Sequence, residues 1–434
     1  MDKKIITRFP PSPTGFLHIG RARTALFNFL FARQNEGKMV FRIEDTDKER
    51  SKREFEDNIV ESLTWLGIKH DSGPYRQSER TVVYQKYLKK LIDDGFAYIS
   101  KETPKEEGDR EEVIRFKNPN KTLTFKDLIR GEITFDTTDL KDFVIAKSLE
   151  EPVYHLAVVV DDFEMGITHI IRGEDGISNT PRQLLIQQAI GAPQPVYAHV
   201  PLILAPDKSK LSGRHGAISV TAYREMGYLP EALVNYLALL GWNPGTEQEI
   251  FSMDELIELF DISKIQKSGA VFNIEKLNWI NRQYLEKLND ADFILHAKNF
   301  IQEEILIKIL PLVREKISFF KEISSLLDGE LSFIKPLPIY DKESLKWKQE
   351  KDLSATKENL KLIIDIVSKI SDFSKESVKA SVWPLAEAKG KGYVLWPMRY
   401  ALSGKDKSPD PFIISEILGK EETVKRLTFA YESI

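Results

Sequence analysis

No cysteine occurs among the 434 residues of this chain. Disulfides, thiolate nucleophiles and cysteine-ligated zinc are therefore excluded. The seven histidines show no metal-ligand spacing, so no protein-held metal, and no zinc in particular, is expected. A strong charge of one sign is missing too. The formal net charge is −4, so no basic field covers the surface, and a nucleic-acid partner would have to be met by local patches. The N-terminus, Met1-Asp2-Lys3-Lys4, lacks a secretory apolar segment, and no apolar run reaches membrane-spanning length. The expectation is a cytoplasmic protein with no membrane contact. Low-complexity linkers and repeats are likewise lacking.

What remains is a chain long enough for two to four domains and, at 42% hydrophobic residues, able to build large cores. The first ninety residues alternate between β and α patterns. Lys4–Phe9 is β-rich, and a helix carrying Ala25, Leu26, Phe29 and Leu30 follows. Lys38–Glu44 is a second strand, Ser51–Leu66 a helix with Phe55, Ile59, Leu63 and Leu66 on one face, and Tyr84–Asp94 another helix. Such alternation predicts a parallel sheet with helices on its faces. Short β-like runs at 113–116, 132–135 and 142–145 suggest a small mixed insert, after which the alternation returns at Thr168–Asp175 with a helix from Pro181 to Ala189. From Leu229 onward the pattern is helical, including 231–240, 253–260, 357–371 and 376–389. The fold class is thus multidomain α/β plus all-α. Divisions are expected at 1–94, 95–160, 161–228, 229–324 and 325–434.

Three stretches carry chemistry. In Arg8-Phe9-Pro10-Pro11-Ser12-Pro13-Thr14-Gly15-Phe16-Leu17-His18-Ile19-Gly20 a strand runs through a proline-stiffened loop into a helix. A helix N-terminus offers unpaired N–H groups and partial positive charge to an anion. His18 can donate a hydrogen bond there, and Gly20 lets a nucleotide approach the backbone. The fragment by itself also fits a βα turn with a satisfied histidine. In Asp207–Gly216 the cations Lys208, Lys210 and Arg214, with His215, could close over a triphosphate. A solvated basic loop is the plainer reading of that run. Ile170-Ile171-Arg172-Gly173-Glu174-Asp175 sits at a strand end, where ligands of open α/β sheets collect. Alone it could equally be a surface Arg–carboxylate cluster.

Taken in order, these stretches resemble a known family. RFPPSPTGFLHIG at 8–20 is similar to the first signature of class I aminoacyl-tRNA synthetases, in the form used by glutamyl-tRNA synthetases, and KLSGR at 210–214 to the second. RIEDTD at 42–47, GPYRQSER at 73–80, YHLAVVVDD at 154–162, IIRGED at 170–175, SNTPRQ at 178–183 and LWPMRYALSGKDKSP at 395–409 resemble the same family in the same order. The resemblance implies a Rossmann-like parallel-sheet catalytic domain (1–94 and 161–228). It is interrupted by an insert that grips the acceptor stem (95–160) and followed by a helical stem-contact domain (229–324) and a helical anticodon-binding module (325–434). The activity it implies is ATP-dependent activation of L-glutamate and transfer to the 3′ end of tRNA(Glu), by a monomer using ATP with Mg2+.

Site roles follow from the same resemblance. Arg8 and Arg172 would hold the side-chain carboxylate, Glu44 the α-ammonium, Tyr154 would donate its hydroxyl, and Ser12 would lie beside them. His18, Gly20, Lys210, Ser212 and Arg214 would serve catalysis. Pro11, Ser12, Thr14, Gly15, Glu174, Asp175, Ile203, Leu211 and Gly213 would complete the ATP site. The chain departs from the pattern at several places. Gly213 stands where the family carries a phosphate-contacting lysine, Gly176 where an aromatic or His stacks near adenine, Arg21 where a small residue is common, and Val158 where some relatives have Asn. Two alternatives follow: a non-discriminating enzyme that also charges tRNA(Gln), or a catalytically impaired paralogue that binds tRNA. A relative that modifies a tRNA base with glutamate would lack the anticodon module.

Overall fold

The computed structural model describes residues 4–103, 111–211, 219–348 and 350–434. The chain divides into two compact units, Met1–Tyr284 and Leu285–Ile434.

In the first unit β1 (Ile6–Phe9) leads into α1 (Ile19–Gln34), then β2 (Lys38–Ile43), α2 (Arg53–Trp65), β3 (Ser72–Arg76) and α3 (Thr81–Asp93). Next come β4 (Ala97–Lys101), β5 (Glu112–Phe116), β6 (Thr122–Asp127), β7 (Gly131–Asp136), β8 (Phe143–Ser148) and β9 (Glu151–Pro152). After these the chain forms α4 (Tyr154–Glu164), β10 (His169–Gly173), α5 (Thr180–Ile190), β11 (Val196–Val200) and β12 (Ile203–Leu204). The unit closes with α6 (Val220–Met226), α7 (Pro230–Leu239), α8 (Met253–Leu259), β13 (Ala270–Val271) and α9 (Ile274–Lys287). All the helices predicted in this span are present.

Strands β1, β2 and β3 form one parallel sheet, and β10 pairs in parallel with β11 over Ile170↔Tyr197 to Gly173↔Val200. Thr168 joins the two sheets: its hydroxyl oxygen accepts from Ile6 N at 2.8 Å, and its own N–H donates to Ile6 O at 2.9 Å. The parallel order therefore reverses between β1 and β10, and the crevice beyond their carboxyl ends is the place where such sheets bind ligands. The β6–β7 hairpin extends the second sheet, because β6 pairs in parallel with β11 at Asp127↔Tyr197. The antiparallel order β4-β5-β8-β9 forms a separate sheet. Sequence reading passed over β3, β4, β6 and β11, and the two-residue strands β9, β12 and β13.

Helix α1 lies buried along the sheet, with Ala25, Leu26, Phe27 and Leu30 fully enclosed. A helix apolar on nearly every side belongs inside a molecule. Helices α3, α4 and α5 cover the other face through Leu88, Leu91, Leu156, Val160, Leu184 and Ile186. Both faces are thus closed, as a parallel sheet requires.

The second unit is helical: α10 (Asp290–Ala297), α11 (Glu303–Lys316), α12 (Glu322–Asp328), α13 (Ser354–Val367), α14 (Lys375–Lys389), α15 (Lys391–Ser403) and α16 (Pro411–Ser433). Within α16, Gly419 has φ +76° and breaks the helix. Buried Arg426 ties this unit together, donating to the carbonyls of Phe333, Leu402 and Lys335, each at 2.8 Å. Among the described residues no helix is long and apolar enough to cross a membrane.

Candidate active site

A cavity of about 640 Å³ opens at the β1/β10 reversal. It is large enough for a nucleotide-sized ligand and a small partner. One wall is the loop between β1 and α1. Two backbone bonds, Glu44 N to Pro11 O (3.0 Å) and Lys52 N to Pro13 O (3.0 Å), and one to a side chain, Leu17 N to Asn58 Oδ1 (3.0 Å), fix that loop. His18 is the N-cap of α1, and its Nδ1 accepts from Gly20 N at 3.2 Å. With Nδ1 used as acceptor, Nε2 carries the proton and is the ring's donor. A Cβ at Gly20 would fall 3.1 Å from His18 Cε1, so glycine makes room for the ring there. Surrounding protein, helped by the charges of Arg21 and Lys210, pushes the His18 pKa down to about 4. The imidazole is therefore a neutral donor at physiological pH, although it remains accessible from the cavity. Arg21, in the first turn of α1, donates Nη1 to Ser12 O at 2.8 Å and lines the same wall. This end of the cavity combines helix N–H groups, Arg21 and a neutral donor, a constellation suited to phosphate.

The opposite floor holds a buried charge network. Arg42 Nη1 donates to Asp162 Oδ1 at 2.8 Å and Nη2 to Glu44 Oε1 at 3.0 Å, while Nε lies 3.6 Å from Asp161 Oδ2. Arg8 Nε reaches Asp162 Oδ2 at 3.4 Å, and Arg80 Nε donates to Asp161 Oδ1 at 2.7 Å. Gln77 and Tyr84 also donate to Asp161, each at 2.9 Å. Three guanidiniums thus face three carboxylates, a balanced set. Arg42 stays charged, because its three carboxylate neighbours outweigh the cost of burial. Glu44 is pushed upward by burial and pulled back by Arg42; its place on the cavity wall leaves it one face for a cation.

Arg172 stands at the end of β10, partly open to the cavity. Its partners are all neutral. Nε donates to His199 Nε2 at 3.1 Å, Nη1 to Gln183 Oε1 at 2.8 Å and Nη2 to Thr180 Oγ1 at 2.8 Å. No carboxylate lies within ion-pair distance of it among the described residues. Tyr154 begins α4 on the same wall, and burial together with the Glu44 charge raises its hydroxyl pKa, so it remains a donor.

The turn after β12 brings up a further cation. Ala205 N donates to Ser209 O and Lys208 N to Ala205 O, each at 2.8 Å, and Leu211 N donates to Ile203 O at 3.0 Å. Lys210 Nζ then lies 3.7 Å from Asp175 Oδ2, both side chains being well exposed. Ser212, Gly213 and Arg214, expected from the second signature, lie outside the described residues.

The cavity brings together Arg8, Pro11, Ser12, His18, Gly20, Glu44, Tyr154, Arg172, Asp175, Ile203, Lys210 and Leu211. Thr14 and Gly15 stand in the loop away from its lining. Glu174 is turned aside: its carboxylate accepts from Arg130 and, at 2.7 Å, from Leu202 N. Sequence reasoning gives no role to Arg42, Gln77, Arg80, Asp161 and Asp162, although all lie inside the motifs at 42–47, 73–80 and 154–162. The signal was present as an arginine within the apolar strand Met39–Ile43 and two aspartates closing the apolar run Leu156–Val160. No comparable signal marked Asp127 or His199.

Chemically, one end suits phosphates and the other a small zwitterion with an additional carboxylate. An ammonium group fits Glu44, and an anionic side chain fits Arg8 and Arg172. Nothing in the arrangement requires a protein nucleophile.

Comparison with known proteins agrees with this geometry. A family model described as tRNA synthetases class I (E and Q), catalytic domain, matches residues 4–112 and 100–279, and one described as an anticodon binding domain matches 282–431. The glutamate–tRNA ligase of Carboxydothermus hydrogenoformans is 42% identical, covering 97% of this chain and 98% of the relative. That of Aquifex aeolicus is 42% identical over 99% of both. Among solved structures, a glutamate tRNA ligase from Elizabethkingia meningosepticum in complex with its amino acid is 35% identical, with a TM-score of 0.89 and 99% of both chains covered.

Proposed function

Because this chain belongs to the class I tRNA synthetases for glutamate and glutamine, we propose that it is a glutamate–tRNA ligase that joins L-glutamate to the 3′ end of tRNA(Glu). In the first step an oxygen of the α-carboxylate attacks the α-phosphorus of ATP. An O–P bond forms, the bond to the bridging oxygen breaks, and pyrophosphate leaves with the electron pair. A terminal ribose hydroxyl of tRNA then attacks the acyl carbon, loses its proton, and AMP departs. Mg2+ arrives with ATP as part of that substrate and neutralises phosphate charge.

The protein's share is positioning and charge. The α1 N-terminus with Gly20, His18 Nε2–H, Arg21 and Lys210 takes the phosphates, and Ser212, Gly213 and Arg214, which match the second signature, would serve the same chemistry. Pro11, Ser12, Asp175, Ile203 and Leu211, which line the cavity, frame the nucleotide. Glu44 receives the α-ammonium, and Tyr154 donates its hydroxyl to the bound amino acid. The segment 95–160 would grip the acceptor stem, 229–324 would follow the stem, and 325–434 would read the anticodon.

The observation that carries the choice of glutamate is the set of neutral partners around Arg172. The buried network is already balanced, so Arg172 is the cation that a substrate side-chain carboxylate would complete. Glutamine would leave that charge unmatched. The test is charging of total tRNA with glutamate or glutamine, by the natural protein and by Arg172→Ala. The natural protein should charge glutamate only, and Arg172→Ala should lose roughly 2–5 kcal/mol of that preference. Unchanged preference in the variant would overturn the assignment.

A further inference from the structure

Behind Arg172 lies a second, fully buried pair. His199 Nδ1 is 2.7 Å from Asp127 Oδ2, and neither side chain reaches solvent. The same Asp127 oxygen accepts from His199 N at 3.0 Å, while its other oxygen accepts from Ile129 N at 2.9 Å and Arg130 N at 2.8 Å. A carboxylate so furnished with donors stays ionised, and the Asp127 pKa is correspondingly lowered even against burial. An ionised acceptor at Nδ1 fixes the proton on Nδ1. His199 Nε2 is then a lone pair, and it meets Arg172 Nε–H at 3.1 Å. The Tyr197 ring stacks on the imidazole with centroids 5.9 Å apart and an interplanar angle of 3°, which holds its plane. Arg172 Cζ lies 5.7 Å from the centre of that same Tyr197 ring.

A guanidinium has five N–H donors. In Arg172, His199 takes the Nε donor, Gln183 one on Nη1 and Thr180 one on Nη2. One N–H then remains on each Nη. Both are left for the oxygens of a carboxylate.

We infer that His199, oriented by Asp127, is a positioning and specificity residue: it occupies the Nε edge of Arg172 so that the two Nη groups are presented to the substrate's side-chain carboxylate. The inference rests on the ligase reading for the identity of that carboxylate. If His199 carried its proton on Nε2 instead, two N–H groups would face each other at 3.1 Å, and Arg172 would be turned away from its seat.

Two substitutions separate the two halves of the imidazole's role. His199→Asn keeps a donor near the Nδ1 position for Asp127 but no longer reaches Arg172. His199→Gln places an amide oxygen near the Nε2 position and restores the acceptor. L-Glutamate and L-glutamine binding are measured by calorimetry, which needs no turnover, followed by KM and kcat for glutamate and ATP. His199→Asn should weaken glutamate binding about ten-fold, the effect of losing one hydrogen bond to a charged group. It should narrow the gap to glutamine, leave the ATP KM unmoved and lower kcat less than it raises the glutamate KM. His199→Gln should recover most of the preference. A fall in kcat with both KM values unchanged, or equal damage in the two variants, would overturn the inference.

The natural protein provides a check independent of variant folding. With 15N-labelled histidine, two-bond ring correlations should report His199 as the neutral Nδ1–H tautomer at neutral pH, its signal assigned by its loss in whichever variant folds. An Nε2–H tautomer or an imidazolium would overturn the inference. A protein that binds glutamate normally, with the expected tautomer and variant effects, but charges no tRNA would refute the ligase reading and leave this one standing.

Discussion

Arg42 Nη1 and Asp162 Oδ1 lie 2.8 Å apart on side chains that are almost wholly enclosed, and the other Asp162 oxygen faces Arg8. Asp162 is thereby the link between an arginine that lines the cavity and one that never reaches it. Strand β2 supplies Arg42 and Glu44 follows that strand, β1 supplies Arg8, and α4 supplies both aspartates. The substrate end of the cavity is thus set by the packing of α4 against the sheet.

Arg42→Ala should be severely destabilising. It would leave Glu44, Asp161 and Asp162 buried around an empty position, and breaking such a set by removing one partner costs roughly 3–5 kcal/mol. Arg42→Lys should recover little, because a point charge cannot serve three carboxylates at fixed angles. Urea unfolding of the full chain measures this; a shift under about 1 kcal/mol would show that the network relaxes freely.

Gly176→Ala should injure glutamate recognition specifically. A Cβ at position 176 would lie 2.7 Å from Arg172 Nε and 2.8 Å from its Cδ. Arg172 cannot yield without leaving His199, Gln183 and Thr180. A displacement near 1 Å at a positioning group costs up to about a hundred-fold in rate. The glutamate KM should rise well beyond the ATP KM. The glycine, which departs from the family pattern, is on this view part of Arg172's seat, and equal KM values in variant and natural protein would refute that.

Arg21→Ala should weaken ATP. Arg21 lines the phosphate wall, and among the described residues no carboxylate lies within ion-pair distance of it. Loss of a charged donor to phosphate is worth about 1.5–3 kcal/mol, so the ATP KM should rise about ten-fold or more while the glutamate KM holds. Pyrophosphate exchange at varied ATP reads both. A change confined to glutamate would place Arg21 on the wrong side of the cavity.

Stability should fall on mild acidification. Burial lowers the pKa of His18 and His155 to about 4 and also depresses those of His70, His169 and His199. In the unfolded chain these histidines take up protons near 6.5. Between pH 6.5 and 4 the unfolded state therefore binds more protons than the folded one, and stability rises with pH across that window. The loss begins as pH drops below 6.5 and is complete near 4 for His18 and His155. Calorimetric midpoints from pH 7.5 to 4.5 should decline steadily, and a midpoint independent of pH would contradict the depressed values. The neutral state of His18 also means that kcat/KM for ATP should show no inflection between pH 6 and 7 that His18→Gln removes.

Much of this protein was settled by local sequence. Apolar spacing marked α1, α2, α3, α5, α7 and α8, and α13 and α14 of the second unit, since a stripe recurring at helical period has few other ways to be buried. The strand-loop-helix with His18 and Gly20, the Arg172 strand end and the Lys210 turn were legible because their chemistry is carried by neighbours in the chain. Tertiary structure decided what depends on distant partners. The alternation in Thr122–Asp127 is that of a strand, but only the fold pairs Asp127 with Tyr197 and so seats a carboxylate behind His199, 72 residues away. Likewise Asp162 meets Arg42 across 120 residues. A buried charge is tolerated only where its partner arrives, and the arrival is set by how helices and strands pack, which no local spacing records.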